Sequence, residues 1–157
     1  MKHFLHSVLV AVCAILLFSS CEPMDKTGDP TGNLWGSWRC ETMTVDIRTT
    51  VNGNTNTTTN TTDYSKDYVY LLLGEKFLAT GFYNAEMEMA AYSYDPDKGT
   101  IRFSDGISVS DHGKAMILVG TYQVELSKTK LVLRQTFGIE KANEQTTYTF
   151  RREERQE

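Results

Sequence analysis

Hydrophobic and polar residues alternate with a period of two over most of the chain beyond residue 33. Tyr122, Val124 and Leu126, for example, share one face of a segment whose intervening residues are polar. Strands of an antiparallel sheet with one face on a core have this alternation, whereas a surface helix repeats every 3.6 residues. The pattern therefore predicts an all-β domain.

Turn-forming residues divide this region into eight segments of strand length. Asn52-Gly53 accepts the positive φ angles of a type I′ turn, so the first two segments are predicted to form one long hairpin. A longer loop is predicted at 105–114, and 84–91 is also rich in helix formers, which leaves a short helix there as the alternative. The predicted strands are 38–51, a polar second arm that ends at residue 73, 76–83, 86–94, 100–104, 115–126, 130–138 and 145–152.

Eight sequential antiparallel strands leave two free edges unless the sheet closes on itself. The expected fold is therefore a single eight-stranded antiparallel up-and-down β-barrel over residues 34–157. A barrel with this number of strands encloses either packed side chains or one small ligand. Residues 49–62 are almost all Thr, Asn and Gly and have no side chain to anchor in a core, so they are predicted to form an exposed hairpin tip.

The first twenty residues have the features of a secretory leader. Lys2 supplies a cationic start, and an unbroken apolar run of eleven residues follows at 8–18. This run is too short for a permanent helical span, which needs ~20 apolar residues. Residues 1–20 are therefore predicted to be a signal peptide, and the Pro- and Gly-containing segment 21–33 a flexible tether of ~20 Å.

Composition narrows the possible functions. The chain is 40% hydrophobic and 23% charged, which suits a compact domain rather than a coiled coil or a disordered chain. It has 16 Lys and Arg against 20 Asp and Glu, so no nucleic-acid partner is expected. Of its three cysteines, Cys13 belongs to the leader and Cys21 begins the tether, which leaves Cys40 as a lone thiol in the domain and predicts that it is a small buried residue.

The residues Leu17-Phe18-Ser19-Ser20-Cys21 resemble the lipobox of bacterial lipoproteins, although Phe18 stands where that motif prefers leucine. The resemblance implies that a peptidase cuts before Cys21 and that this cysteine carries the lipid. Several acyl chains on one residue anchor a protein stably. The expected location is the cell envelope, where the lipid anchors the protein to the outer membrane of a Gram-negative bacterium. The alternative is an ordinary cleaved leader that happens to precede a cysteine.

A second resemblance covers nearly the whole mature chain. Gly36-Ser37-Trp38 at the first strand and Tyr148-Thr149-Phe150-Arg151-Arg152 at the last are similar to the ends of lipocalin-like (calycin-type) lipoprotein domains. In that superfamily the tryptophan closes the barrel floor and an arginine of the last strand lies over it. The resemblance implies these structural roles for Gly36, Trp38 and either Arg151 or Arg152, with Arg151 taken as the first candidate.

Little in the sequence points to catalysis. His112 is the only histidine beyond the leader, and the chain has no His/Cys cluster for zinc and no Gly-rich phosphate loop. Ser110-Asp111-His112 contains the residue types of a hydrolytic triad, but neighbours in sequence rarely converge, and Ser and Asp are common in turns. No catalytic residue, metal or cofactor is therefore predicted, and a hydrolase or isomerase using His112 is the least favoured alternative.

The remaining candidate site is the barrel interior. Glu86 and Glu88 are expected on the solvated face of their strand, with the alternating methionines pointing inward. The favoured function is non-enzymatic binding of a small apolar or amphipathic molecule. The alternative is a protein-interaction module, an inhibitor or an accessory subunit of an envelope complex, with a solid-packed barrel and a partner that the sequence does not identify. The candidate cavity-lining residues are Tyr68, Phe77, Met87, Met89, Phe103, Tyr122 and Phe137.

Overall fold

The computed structural model describes residues 34–135 and 143–153. Within these residues no helix has the length and apolar content that a membrane crossing requires. The predicted leader and tether lie outside the described residues. The strands are β1 (Gly36–Val51), β2 (Asn54–Asp63), β3 (Val69–Leu73), β4 (Leu78–Tyr83), β5 (Glu86–Asp95), β6 (Thr100–Asp111), β7 (Lys114–Leu126), β8 (Lys130–Gln135) and β9 (Glu144–Arg152), with one 3₁₀ turn at Glu75–Phe77.

All strand pairs are antiparallel, and the sheet closes. The hydrogen-bonded order is β2-β1-β3-β4-β5-β6-β7-β8-β9, and β1 also pairs with β9. Eight strands, β1 and β3–β9, thus form a closed barrel, and β2 is an additional strand beside the distal half of β1. The predicted all-β, eight-stranded closed barrel is confirmed.

The predicted second arm is two strands rather than one. β2 runs back along β1 from the Asn52-Gly53 turn, where both residues have positive φ, and ends at Asp63. Tyr64 is the first large apolar side chain after this polar strand, and its ring is fully buried. Burial of Tyr64 turns the chain, and β3 then pairs with the first residues of β1. The polar arm is therefore outside the barrel, and only the apolar part enters it.

The predicted loop at 105–114 is also wrong, since β6 continues to Asp111 and β7 begins at Lys114. Only His112 and Gly113 form the connection, both with positive φ. The segment 84–91, in contrast, is a turn followed by a strand, as the preferred prediction had it. The last three residues of the predicted strand 130–138 lie outside the described residues.

One end of the barrel is closed by a tryptophan and an arginine. Trp38 is fully buried, its Nε1 donates to the carbonyl of Leu34 at 2.9 Å, and the Arg152 guanidinium lies 4.3 Å from its ring centroid. Gly36 has φ +144°, and a Cβ there would come within 3.0 Å of Arg152 Nη1. The arginine over the tryptophan is therefore Arg152, whereas Arg151 is half-exposed and pairs with Glu41.

Cys40 is buried in β1, as predicted. Burial, together with the neighbouring Glu41 carboxylate, raises the pKa of the Cys40 thiol far above its usual range. Because the thiolate is the reactive species, Cys40 is chemically inert in the folded protein.

Candidate functional site

The distal half of the β6–β7 hairpin folds over the inside of the barrel; we call residues 107–119 the cap. Gly106 and Gly120, one on each strand, have φ near +78° and +76° and flank the cap. The β6–β7 register shifts between Phe103 and Ile107, which marks a bulge at the same place. A bulge and paired positive-φ glycines bend both strands of the hairpin together.

The inner face of the cap packs against the opposite wall. Ile107, Val109, Met116 and Leu118 are all buried, with at most 1% of their surface exposed. A Cβ on Gly81 in β4 would overlap Ile107 Cγ2 and lie 3.2 Å from Met116 Cε. Since β5 separates β4 from β6 in the sheet, this contact is made across the interior. The cap therefore fills part of the space that an open barrel would leave empty.

Two carboxylates hold the β6 edge of the cap, where the backbone ladder to β5 has ended. The ladder between β5 and β6 runs from Asp95 only as far as Tyr92. Beyond it, the amide of Ser108 donates to Glu88 Oε2 at 2.6 Å and the amide of Ser110 donates to Glu86 Oε2 at 2.7 Å. The glutamates therefore replace strand–strand hydrogen bonds with longer side-chain bridges.

Tyrosine hydroxyls hold the β7 edge of the cap from inside. Tyr64 Oη donates to the carbonyl of Ala115 at 2.5 Å. Tyr148 Oη accepts from the amide of Ile117 at 3.0 Å and donates to its carbonyl at 2.9 Å. Burial raises the pKa of both tyrosines above the usual range, so the hydroxyls stay protonated and can donate.

The tip of the cap is fixed by ionic and amide contacts. Asn84 Nδ2 donates to the Asp111 carboxylate, and this bond is the main cause of the lowered pKa of Asp111. Lys114 Nζ lies 2.7 Å from Asp67 Oδ2 and 3.0 Å from the carbonyl of Asp63. The hydrogen bond to Asp67 raises the pKa of Lys114. All three sides of the cap are thus held by side chains.

Tyr148→Phe tests how much these bonds contribute. We expect a loss of ~1–3 kcal/mol in the free energy of unfolding, because the partly buried amide and carbonyl of Ile117 lose their hydrogen bonds to Tyr148. The rate of hydrogen exchange at the Ile117 amide should also rise. Tyr68→Phe is the matched control, since Tyr68 is 66% exposed and its change should have little effect. An unaltered Ile117 exchange rate would contradict this account of the cap.

Some of the predicted cavity residues lie inside the barrel and others lie on its outer surface. Phe103 and Tyr122 are inside and 1% exposed. Met87 and Met89 are more than half exposed, on the face opposite to the buried Ala90, so the expectation that the methionines point inward is wrong. Phe137 lies outside the described residues. The other two, Tyr68 at 66% and Phe77 at 40% exposure, are also outside the interior, although the Phe77 ring contacts Tyr92 edge-on.

The buried aromatic rings contact one another in sequence around the barrel. Successive ring centroids are 6.0 to 6.5 Å apart, a separation typical of packed aromatic pairs. Together with the cap, these rings occupy the barrel interior, and two of them, Phe103 and Tyr122, are residues that were predicted to line a cavity. The successive rings are Tyr92, Phe103, Tyr122, Tyr148 and Phe150.

An uncharged apolar surface covers the outside of three neighbouring strands; we call it the β3–β5 outer face. Cross-strand register places Tyr70, Phe82 and Met87 in one row and Leu72, Thr80 and Met89 in the next. The outward positions of β3, β4 and β5 from residue 70 to residue 93 carry no charged side chain. The large side chains exposed here or at its margin are Tyr68, Leu72, Phe77, Leu78, Met87 and Met89, between 37% and 66% exposed.

The Ser110-Asp111-His112 sequence does not assemble a triad. His112 Nδ1 lies 2.8 Å from Asp111 Oδ1, but the His112 side chain is 90% exposed. Ser110 Oγ is directed to Glu86 Oε2 at 3.4 Å, on the neighbouring strand. Within residues 34–135 and 143–153, no three His, Cys, Asp or Glu side chains are grouped so that they could hold a metal ion.

A groove of about 190 Å³ lies on the surface at the turn between β7 and β8. Ligand sites for drug-sized molecules usually enclose ~300–1,000 Å³, so this groove is small for such a role. It is lined by Glu125, Leu126, Ser127, Lys130 and Val132.

Two glycines mark the cap in the sequence, although the period-two pattern does not reveal it. Gly106 falls in the predicted loop and Gly120 in the middle of a predicted strand, and glycine inside a strand often marks a bulge or bend. Comparison with known proteins adds no assignment, because no protein-family model, no curated protein and no solved structure matches this chain.

Proposed function

We propose that this protein is a non-enzymatic interaction domain, held at the cell envelope by lipid on Cys21, that binds a partner protein through the β3–β5 outer face. The observation that carries the proposal is this uncharged, apolar surface on the outside of a barrel whose inside is occupied by the cap and the aromatic rings. Apolar surface gains free energy when it is removed from water, and binding of a partner protein covers this face.

The composition of the face suits a protein partner. Large exposed apolar patches mark interaction sites on soluble domains. The centres of protein interfaces are depleted in charge and enriched in aromatic residues and methionine. Met87 and Met89 stand on β5, at the end of the two rows, where flexible thioethers adapt to the shape of a partner. The expected partner surface is therefore apolar and uncharged at its centre.

The lipobox resemblance and the tether support the envelope location. The predicted tether has a typical span of ~20 Å, so a chain anchored at Cys21 holds the domain close to the membrane and restricts its search for a partner to that surface. The predicted lipocalin-like relationship rests on Gly36, Trp38 and an arginine of the last strand, and the pairing of Trp38 with Arg152 is consistent with it.

Site-specific photocrosslinking in the native host tests the proposal. With a photoreactive residue at Met89, the full chain should crosslink to one specific envelope protein. The same residue at Gln123, an exposed outward position on β7, should not. Adding Met87→Glu should reduce the Met89 crosslink ~10-fold or more, because burial of an unpaired charge in an apolar interface is costly. Met87 is 56% exposed, so this change leaves the fold intact.

The controls separate binding from anchoring. Cys21→Ser should remove the protein from the membrane fraction and lower the crosslink for that reason alone. Equal crosslinking from Met89 and Gln123, or crosslinking only to lipid, would contradict the proposed binding face. Retention of the Cys21→Ser protein on the membrane would contradict the lipid anchor without affecting the binding face.

A small apolar ligand inside the barrel is the second candidate, and the cap is the observation that favours it. The cap is bounded by Gly106 and Gly120 and is held largely by side chains, so outward rotation would open the interior without breaking the rest of the sheet. Native mass spectrometry of the purified protein should then show a bound small molecule. If the spectrum shows only the mass of the protein, this candidate is excluded for the purified state.

A further inference from the structure

Strand β2 presents a long free edge. Its ten residues pair with β1 without a register shift, and nine of the ten are exposed. Among the described residues, no strand lies on its other side. Natural proteins usually protect such edges with lysine, proline or a bulge, because an open edge recruits another strand. β2 has none of these features.

The turn that precedes β2 determines which backbone groups point outward. Val51 and Asn54 flank the two-residue Asn52-Gly53 turn, so they form a hydrogen-bonded pair. Bonded and non-bonded pairs alternate along an antiparallel ladder. The amide and carbonyl groups of the even-numbered residues therefore point to β1. Those of the odd-numbered residues, from Thr55 to Thr61, point to the free edge.

The sequence of β2 is symmetric about Thr58. Residues 55–61 read Thr-Asn-Thr-Thr-Thr-Asn-Thr in both directions. If two copies meet antiparallel with Thr58 on the twofold axis, Thr57 faces Thr59 of the other copy and Asn56 faces Asn60. This register joins odd-numbered residues to odd-numbered residues. The outward backbone groups of one copy thus meet those of the other. If the twofold axis passed between two residues, odd-numbered residues would face even-numbered ones, and these groups would not meet.

Side-chain chemistry fits the same pairing. Cross-strand threonine pairs are favourable in antiparallel sheets. β2 already makes such contacts with β1, since Thr55 Oγ1 lies 3.0 Å from Thr50 Oγ1 and Thr59 Oγ1 lies 2.6 Å from Asp46 Oδ1. The symmetric segment carries no charge, so no like charges would oppose each other across the axis.

We propose that a second copy of this chain adds to the β2 edge, so that two barrels share one continuous antiparallel sheet through residues 55–61. The symmetric register supplies about eight backbone hydrogen bonds between copies. A twofold interface of this kind is closed and stops at the dimer. The dimer uses the β2 edge rather than the β3–β5 outer face and does not depend on the function proposed above.

Cysteine crosslinking of the full-length, detergent-solubilised protein tests the register. Thr58→Cys should form a covalent dimer on mild oxidation, because residues on the axis face each other at ~4.5 Å between Cα atoms, within disulfide reach. Thr55→Cys, on the same exposed edge, should crosslink at least ~10-fold more slowly, since its two copies are separated by ~20 Å. The wild-type protein is the control for any crosslink that forms through its native cysteines.

Two further experiments distinguish pairing at the β2 edge from nonspecific association. A mixture of Thr55→Cys and Thr61→Cys chains should crosslink as mixed pairs, because these positions face each other. Thr57→Pro in the Thr58→Cys protein should reduce the crosslink to the level of Thr55→Cys, since its outward amide is lost while the bonds to β1 remain. An unchanged melting temperature shows that the β1–β2 hairpin is intact.

The proposal is overturned if Thr58→Cys stays monomeric, if Thr58→Cys and Thr55→Cys crosslink at equal rates, or if Thr57→Pro has no effect on the crosslink in the folded protein. Crosslinking of Thr58→Cys to a different protein in cells, with none between copies, would also overturn it.

Discussion

Trp38→Ala should lower the free energy of unfolding by ~3–5 kcal/mol, the usual loss for removal of a buried tryptophan. The side chain is fully buried, and its removal also leaves the Leu34 carbonyl without its donor and the Arg152 guanidinium without the ring beneath it. Urea denaturation followed by circular dichroism measures the change. A loss below 1 kcal/mol would show that this end of the barrel does not depend on Trp38.

The two arginines of β9 provide the matched comparison. Arg152→Ala should cost ~0.5–2 kcal/mol through loss of the cation–π contact. It also removes a hydrogen bond of 3.1 Å from Nη1 to the carbonyl of Trp35. Arg151→Ala should stay within ~0.5 kcal/mol, because its partner Glu41 is a surface residue and such ion pairs contribute little. The reverse order would contradict the assignment of Arg152 as the closing residue.

Gly81→Ala should destabilise the protein by ~1–3 kcal/mol, because the added methyl overlaps Ile107 Cγ2 in the packed cap. Thermal or urea unfolding measures the loss. Gly74→Ala is the control, since a Cβ there meets only the carbonyl of Leu78 at 3.4 Å, close to ordinary contact, and should cost much less.

A double-mutant cycle tests the contact between Gly81 and Ile107 directly. Ile107→Ala alone should cost ~2–5 kcal/mol as a large-to-small change in the core. In the Ile107→Ala protein most of the added cost of Gly81→Ala should disappear, because the overlapping methyl has gone and only the flexible end of Met116 remains close. Residues in contact show such non-additivity, and distant ones do not. Strict additivity would mean that the cap does not lie on β4.

Much of the fold was predictable because it depends on local pattern. The period-two alternation, the Asn52-Gly53 turn and the strand at 86–94 follow from backbone preferences of short segments. Trp38 as the closing residue followed from a family resemblance. The choice of Arg152 over Arg151 was also within reach of the sequence, because alternate residues of a strand share a face and Arg152 has the parity of the apolar Tyr148 and Phe150.

The Glu86 to Met89 segment shows why the site was harder to predict. Alternation established that glutamates and methionines lie on opposite faces of β5. Glu86 and Glu88 are solvent-exposed, as expected, but Met87 and Met89 are exposed as well instead of pointing inward. The glutamates share the strand parity of the buried Ala90, and they lie beside the cap, which has left the β5 ladder. There their carboxylates accept from the amides of Ser108 and Ser110. Unpaired backbone amides are costly, and which amides lack a strand partner depends on the bend of the cap rather than on the sequence of β5.

The sequence alone determined that this chain is all-β, where most of its strands and turns lie, and that Cys40 is buried, because these properties depend on residue periodicity and local conformation. The tertiary structure alone decided the exclusion of β2 from the barrel, the inward fold of the cap and the outward placement of Met87 and Met89. Each of these depends on contacts between residues far apart in the chain, whose free energies override the local preferences of the segments that make them.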